Sequence, residues 1–195
     1  MRARPRATRL ILFGVHPALC YLPGERLTLA ELGAARLDGH VVEVGECFTP
    51  ADTVESAEMR AAGLRTIVPD RTAACGPTAA WVHGAGDRPP VVHHVRRSSL
   101  RRFRPALPGN VVYHEGRVEE EDLLMIAGVP VATELAAATD LLFWVGADAT
   151  AEGWLRGLLQ VSAGLDEALQ ERLERMPRRP GRRAAIQTLR RIRTS

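Results

Sequence analysis

The stretch LLMIAGVPVATELAAATDLLFW, residues 123–144, changes its period midway. Leu123 to Ala127 and Val129 to Ala132 are short apolar runs meeting at Gly128, which reads as two strands of a small sheet. From Thr133 onward the apolar residues take helical spacing, predicting a helix over Glu134 to Trp144. Upstream, Val91 to Val95 and Val111 to His114 are two further β-prone runs, separated by the arginine-rich stretch Arg96 to Arg104 and the turn Pro108-Gly109-Asn110. Downstream the pattern stays helical, over Ala151 to Val161, Asp166 to Met176 and Gly181 to Ile192. In the last of these, Arg183, Arg190 and Arg191 fall opposite Ala185, Leu189 and Ile192, an apolar side able to dock with arginines facing outward.

The first third reads differently. Thr28 and Glu31 form a capping box over Leu29 to Leu37, and Gly39 stands where a helix end needs a residue free to take positive φ. His40 to Val44 and Glu46 to Thr49 follow as two β-prone runs broken at Gly45, and a helix followed by such a pair is the back half of a winged helix. Asp52 with Glu55 predicts a second cap, followed by a buried stripe of Val54, Ala57, Ala61, Leu64 and Val68 that ends near Pro69. Gly76-Pro77 opens a short helix through Trp81 and Val82, closed by Gly84. The expected fold is therefore α+β: a partial winged-helix-like N-terminal part, then a small mixed sheet, then a C-terminal helical bundle. Four segments are expected, a basic extension over 1–27, the winged-helix-like part over 28–70, an α/β domain over 71–145 and a helical region with an arginine-rich tail over 146–195.

Composition narrows the function. All 26 basic residues are arginine. Without lysine there is no phosphate-loop lysine, no kinase strand lysine, no Schiff base and no carboxylate-plus-lysine nuclease centre. The charge is unevenly placed: residues 1–9 carry +4, residues 10–171 carry −9 and residues 172–195 carry +8. An acidic body with basic ends suits either a polyanion contact or a match between tail and body. Cys20, Cys47 and Cys75 are too dispersed for a disulfide framework or zinc knuckle and are expected as buried apolar residues in a reducing cytosol. Arg2, Arg4, Arg6 and Arg9 before the apolar run Leu10 to Val15 have the layout of a secretory signal. His16, Pro17 and the lack of a small-x-small cleavage site argue against it, so a cytoplasmic protein with no membrane partner is expected.

No catalytic constellation stands out. The six histidines form no ligand motif, and His93 and His94, adjacent in a strand, point to opposite faces, leaving at most one to join His114 or His83. Glu119 to Asp122 reads as a solvated turn, with Asp122 capping the next segment, because neighbours on an extended chain cannot converge on a metal. Trp81, Trp144 and Trp154 sit in apolar helical patterns and are expected in the core. Arg96 to Arg104 reads as an exposed loop or a grip on phosphates. Neither metal nor cofactor is called for, and an enzyme is the least favoured class.

Taken in order and spacing, GPTAAWVHGA (76–85), the strand pair, the acid-rich turn, GVPVAT (128–133) and TDLLFW (139–144) resemble the AbiEi family of antitoxins. LDGHVVEVGECF (37–48) is similar to the end of that family's winged helix and its wing, so the resemblance spans roughly residues 28–145. ELAA at 134–137 stands where the family reads P-x-R-T, so no role of that arginine carries over. The resemblance implies a non-catalytic transcriptional autoregulator that represses its own operon and counteracts a nucleotidyltransferase toxin. On duplex DNA of its own promoter, the Leu29 to Leu37 helix would present Arg36 and the wing His40, while Arg178, Arg179, Arg182, Arg183, Arg190 and Arg191 would meet phosphates. The alternative is a protein-interaction module whose degenerate winged helix does not read DNA specifically.

Overall fold

The computed structural model describes residues 19–194. Expectations for residues 1–18, the basic start and the run Leu10 to Val15 among them, lie outside the described residues. Helix α1 (Leu29–Leu37) begins at the expected capping box: the Thr28 hydroxyl accepts from the Glu31 amide at 3.2 Å, and the Glu31 carboxylate accepts from the Thr28 amide at 2.7 Å. It ends as a Schellman turn, with the Gly39 and His40 amides donating back to the Arg36 and Ala35 carbonyls. Strands β1 (Val41–Val44) and β2 (Cys47–Pro50) then form an antiparallel hairpin turning at Gly45, and Tyr21 pairs with Phe48 beside it.

Helix α2 (Ala57–Gly63) starts later than the Asp52–Glu55 pattern predicts, because Ser56 supplies the cap to the Met59 amide. Glu55 instead takes the guanidinium of Arg60 at 2.7 Å, and Val54 is left 79% exposed. Ala61 and Leu64 of the expected stripe are buried.

The remaining elements make one mixed sheet with helices packed on it. Strands β3 (Thr72–Ala74), β4 (His93–Arg97), β5 (Val111–Arg117), β6 (Leu123–Ile126) and β7 (Val129–Ala132) lie in the order β5-β4-β3-β7-β6. Parallel pairing of β4 with β5 and of β3 with β7 alternates with antiparallel β3–β4 and β6–β7. The β6–β7 hairpin turns through Ala127 and Gly128, both at positive φ, the geometry of the tight hairpin turns that match strand twist. Strand β4 begins two residues later than expected and Val91 is exposed.

Helix α3 (Gly76–Val82) is buried along its whole length. Helix α4 (Glu134–Trp144), capped by Thr133, packs beside α3, and α5 (Ala151–Val161), α6 (Leu165–Arg175) and α7 (Arg182–Arg193) close over them. Each of the last three buries one stripe: Ala151, Leu155 and Leu158; Leu165, Leu169 and Leu173; Ala185, Leu189 and Ile192. The sequence bounds for these helices hold to within a residue or so. All three cysteines are free and buried, and Trp81 is fully enclosed. No described helix is long and apolar enough to cross a membrane.

Candidate functional site

The arginines named from sequence fall into three settings. Arg36 is exposed on the last turn of α1 and pairs with Glu43 of β1 at 3.2 Å, while His40 stands exposed in the turn between them. Arg178, Arg179, Arg182 and Arg183 come together around Gly181, lining an open groove of about 540 Å³ at the start of α7. The positive end of the α7 dipole adds to their charge. Not all four are equally available. Arg182 closes the C-terminus of α6 by donating to the Leu173 and Glu174 carbonyls at 2.7 and 3.0 Å, and Arg179 lies over the Phe143 ring at 3.9 Å. Arg178 and Arg183 are exposed and make no ion pair among the described residues. Arg190 and Arg191 lie on the last turn of α7, where cations favour the helix dipole. Arg191 also binds Glu152 of α5, at 3.0 Å, and with Arg156 holds that carboxyl down to about 2.

A second site lies on the sheet. The sequence allows one of His93 and His94 to join His114, and the structure joins His94; Arg96, Asp140 and Trp144 are companions that the sequence reading does not supply. Alternation places His94 and Arg96 of β4 on one face, and the parallel register sets His114 of β5 opposite Arg96. One face of α4 supplies Asp140 and Trp144, four residues apart, to meet them. His94 Nδ1 and His114 Nε2 are 2.9 Å apart, the His114 ring stacks on Trp144 at 4.3 Å, and Arg96 reaches over Trp144 to Asp140 at 2.8 Å. Gly76 makes room for this stack, since at its φ of +48° a Cβ would lie 2.2 Å from the Trp144 ring. Burial, and to a lesser extent His94 and Arg96, press the His114 imidazole down to about 4, and burial likewise lowers His94. Burial raises the Asp140 carboxyl to about 6 against the pull of Arg96.

Next to this stack a cleft of about 190 Å³ opens between the sheet, α4 and α6. Asp122 is not a solvated cap. It is buried, and Arg172 of α6 grips both its oxygens, one at 2.6 Å. Arg96 likewise belongs to the cleft, not to an exposed loop. His93, on the opposite face of β4, is buried against Thr78, and His83 binds the Ala132 carbonyl at 2.7 Å. Among the described residues no group of three or more metal-ligating side chains converges.

The sheet β3–β7 with α3–α7 is the unit that comparison identifies. It is an antitoxin fold unit: the family model of the AbiEi antitoxin C-terminal domain matches residues 72–190, from the first residue of β3 into the last turn of α7. The chain belongs to the AbiEi antitoxin family. The match takes in the C-terminal helices beyond residue 145, where the resemblance read from sequence stops, and leaves α1 and the β1–β2 hairpin outside it. No curated protein matches the chain significantly.

Proposed function

We propose that this antitoxin is a non-catalytic cytoplasmic protein that counteracts a nucleotidyltransferase toxin and binds duplex DNA at its own promoter. The antitoxin role follows from the matched domain; the toxin's chemistry and the DNA are the proposal. What carries the DNA reading is the arginine groove at the start of α7, where the exposed Arg178 and Arg183 stand beside Arg179, Arg182 and a helix N-terminus. Arg36 and His40 supply a second, sparser surface for the groove of the duplex.

The test is a fluorescence-anisotropy titration with the promoter fragment and a shuffled duplex, at low and physiological salt. Removing residues 178–195 is the wrong variant, because Ala185, Leu189 and Ile192 would leave the core with the charges. The combination R178Q, R183Q and R190Q keeps the apolar stripe. It should flatten the salt dependence by roughly one for each phosphate no longer neutralised, without changing the preference between duplexes. R36A with H40A should reduce the promoter preference itself. Equal, salt-erased binding of both duplexes by the unmodified protein would overturn the repressor reading.

One observation favours the protein-interaction alternative. Helix α1 exposes Leu29 at 64% and Leu37 at 85%, apolar surface more suited to a protein partner than to phosphates. L29S with L37S should leave DNA affinity unchanged under the first reading and weaken capture of the toxin under the second.

A further inference from the structure

We infer that the cleft between β4, β5, α4 and the α6–α7 junction binds a phosphate group, whether as the free ion or as a monoester. The argument is one of donors and acceptors. Arg96, Arg117, Arg172 and Arg179 line the cleft with only three carboxylates, Glu119, Asp122 and Asp140. Asp122 is held at both oxygens by Arg172, Asp140 takes a terminal nitrogen of Arg96, and Glu119 takes a terminal nitrogen of Arg117 at 2.8 Å. Each guanidinium has five N–H donors to place. The Nε atoms of Arg96 and Arg117 are buried and have no acceptor among the described residues. Arg179 has no carboxylate there either, and rests on the Phe143 ring. Buried donors without acceptors are costly, and a cluster one negative charge short of balance attracts an anion.

The shape of the anion follows from the same residues. The guanidiniums arrive from separate elements, β4, the end of β5 and the α6–α7 junction, and a tetrahedral oxyanion offers oxygens in several directions where a carboxylate offers one plane. Stacking of a flat ligand has little to use. The Trp144 ring is covered by His114 and by the close approach of Gly76, and Phe143 is occupied by Arg179. A volume of about 190 Å³ accommodates a phosphate with a little water, and not a nucleoside stacked on a ring. The site shares Arg179 with the arginine groove at the start of α7 but uses none of Arg178, Arg182 and Arg183, so R178Q with R183Q should weaken DNA binding and leave phosphate binding intact.

The test uses the full chain, with isothermal titration and phosphorus NMR against inorganic phosphate and, separately, ribose 5-phosphate, at constant ionic strength with chloride as the balancing anion. Expected is one saturable site, weakened at least tenfold in R117Q, at a half-buried position, and in R179Q, at an exposed one, with both variants keeping the unmodified circular dichroism spectrum. D140N is the internal control for a structural role. Removing that carboxylate frees Arg96 and should tighten phosphate binding several-fold, which loss of packing would not do. Stronger binding of the free ion assigns the site to it, and stronger binding of the ester assigns it to a phosphorylated metabolite or end group. Heats no larger than those of chloride, or R117Q and R179Q binding as the unmodified protein does, would overturn the inference.

Discussion

The helix–hairpin unit of residues 28–50 and the sheet-and-helix body of residues 72–190 bury their side chains in contrasting ways. Of the nine residues of α1 only Leu32 is buried, and it meets Val41 and Phe48 in a cluster of three. All seven residues of α3 are buried, and the body core runs from β3 through the stripe of α7. The hairpin is not independent of that core. Val44 and Cys47 belong to it, and Gly45, at φ +60°, presses its backbone against the Trp81 ring, where a Cβ would come within 2.9 Å. The family match falls on the self-supporting body. The surface that would read DNA is a lightly packed unit joined to the body through Val44, Cys47 and the Gly45 backbone on Trp81.

The largest expected effect tests that asymmetry directly. Trp81→Ala should cost about 3–5 kcal/mol in urea unfolding, because it opens a cavity in the body and strips the ring from beneath both Gly45 and Arg60. Leu32→Ala should cost about 2–3 kcal/mol and act locally. Hydrogen exchange should then show α1 and the hairpin losing protection while β3–β7 keep theirs. Global loss of protection in both variants would break the distinction between the two regions.

A smaller effect sharpens where the regions join. Gly45→Ala and Gly39→Ala both place a side chain at positive φ, a strain of about 1 kcal/mol, but only the former meets a ring; nothing lies within 4 Å of a Cβ at Gly39. Gly45→Ala should therefore be the more damaging by about 1–2 kcal/mol and should shift tryptophan fluorescence, whereas Gly39→Ala should leave the spectrum unchanged. Equal losses would show that Trp81 is not the seat of the hairpin.

Legibility divides along the same line, for physical reasons. Elements closed by local chemistry can be read: the Thr28–Glu31 box, the Gly76-Pro77 start, the turn at Gly128 and the leucine stripes of the last helices. The central strand β3 cannot, since Thr72-Ala73-Ala74 is too short to alternate and its alanines favour no strand. Nor can the cleft, because Asp122 and Arg172 stand 50 residues apart and only the tertiary fold turns one toward the other. Partial cues exist. HHVRR puts His94 and Arg96 on one strand face, and Asp140 and Trp144 are one helical turn apart, but the register that joins the two faces is not written in either segment. The expected cap at Asp52–Glu55 does not form because Ser56 competes for the same role and Arg60 engages Glu55.

Acid should separate the two regions once more, with the smallest effect of the series. In the body, His93 and His114 stay neutral down to about 4, pressed there chiefly by burial, whereas in the unfolded chain they take up protons near 6.5. The unfolded state thus binds more protons over that window, and stability falls as pH drops from 6.5 to 4. Asp140 works the other way: its folded carboxyl is protonated at about 6 and its unfolded one near 3.8, so it adds stability over the lower part of the same descent. Two histidines outweigh one carboxyl, leaving a net loss. His114→Gln should make the acid limb shallower by about 1–2 kcal/mol, after allowing for its partial exposure, and Asp140→Asn should make it steeper. In the helix–hairpin unit the Thr28 amide and hydroxyl hold the Glu31 carboxyl below the usual glutamate range, so the α1 cap should survive until the pH falls beneath that range. Amide exchange followed against pH should find the body weakening first and the cap of α1 last; a cap lost at the same pH as the body would mean that α1 has no stability of its own apart from the core it rests on.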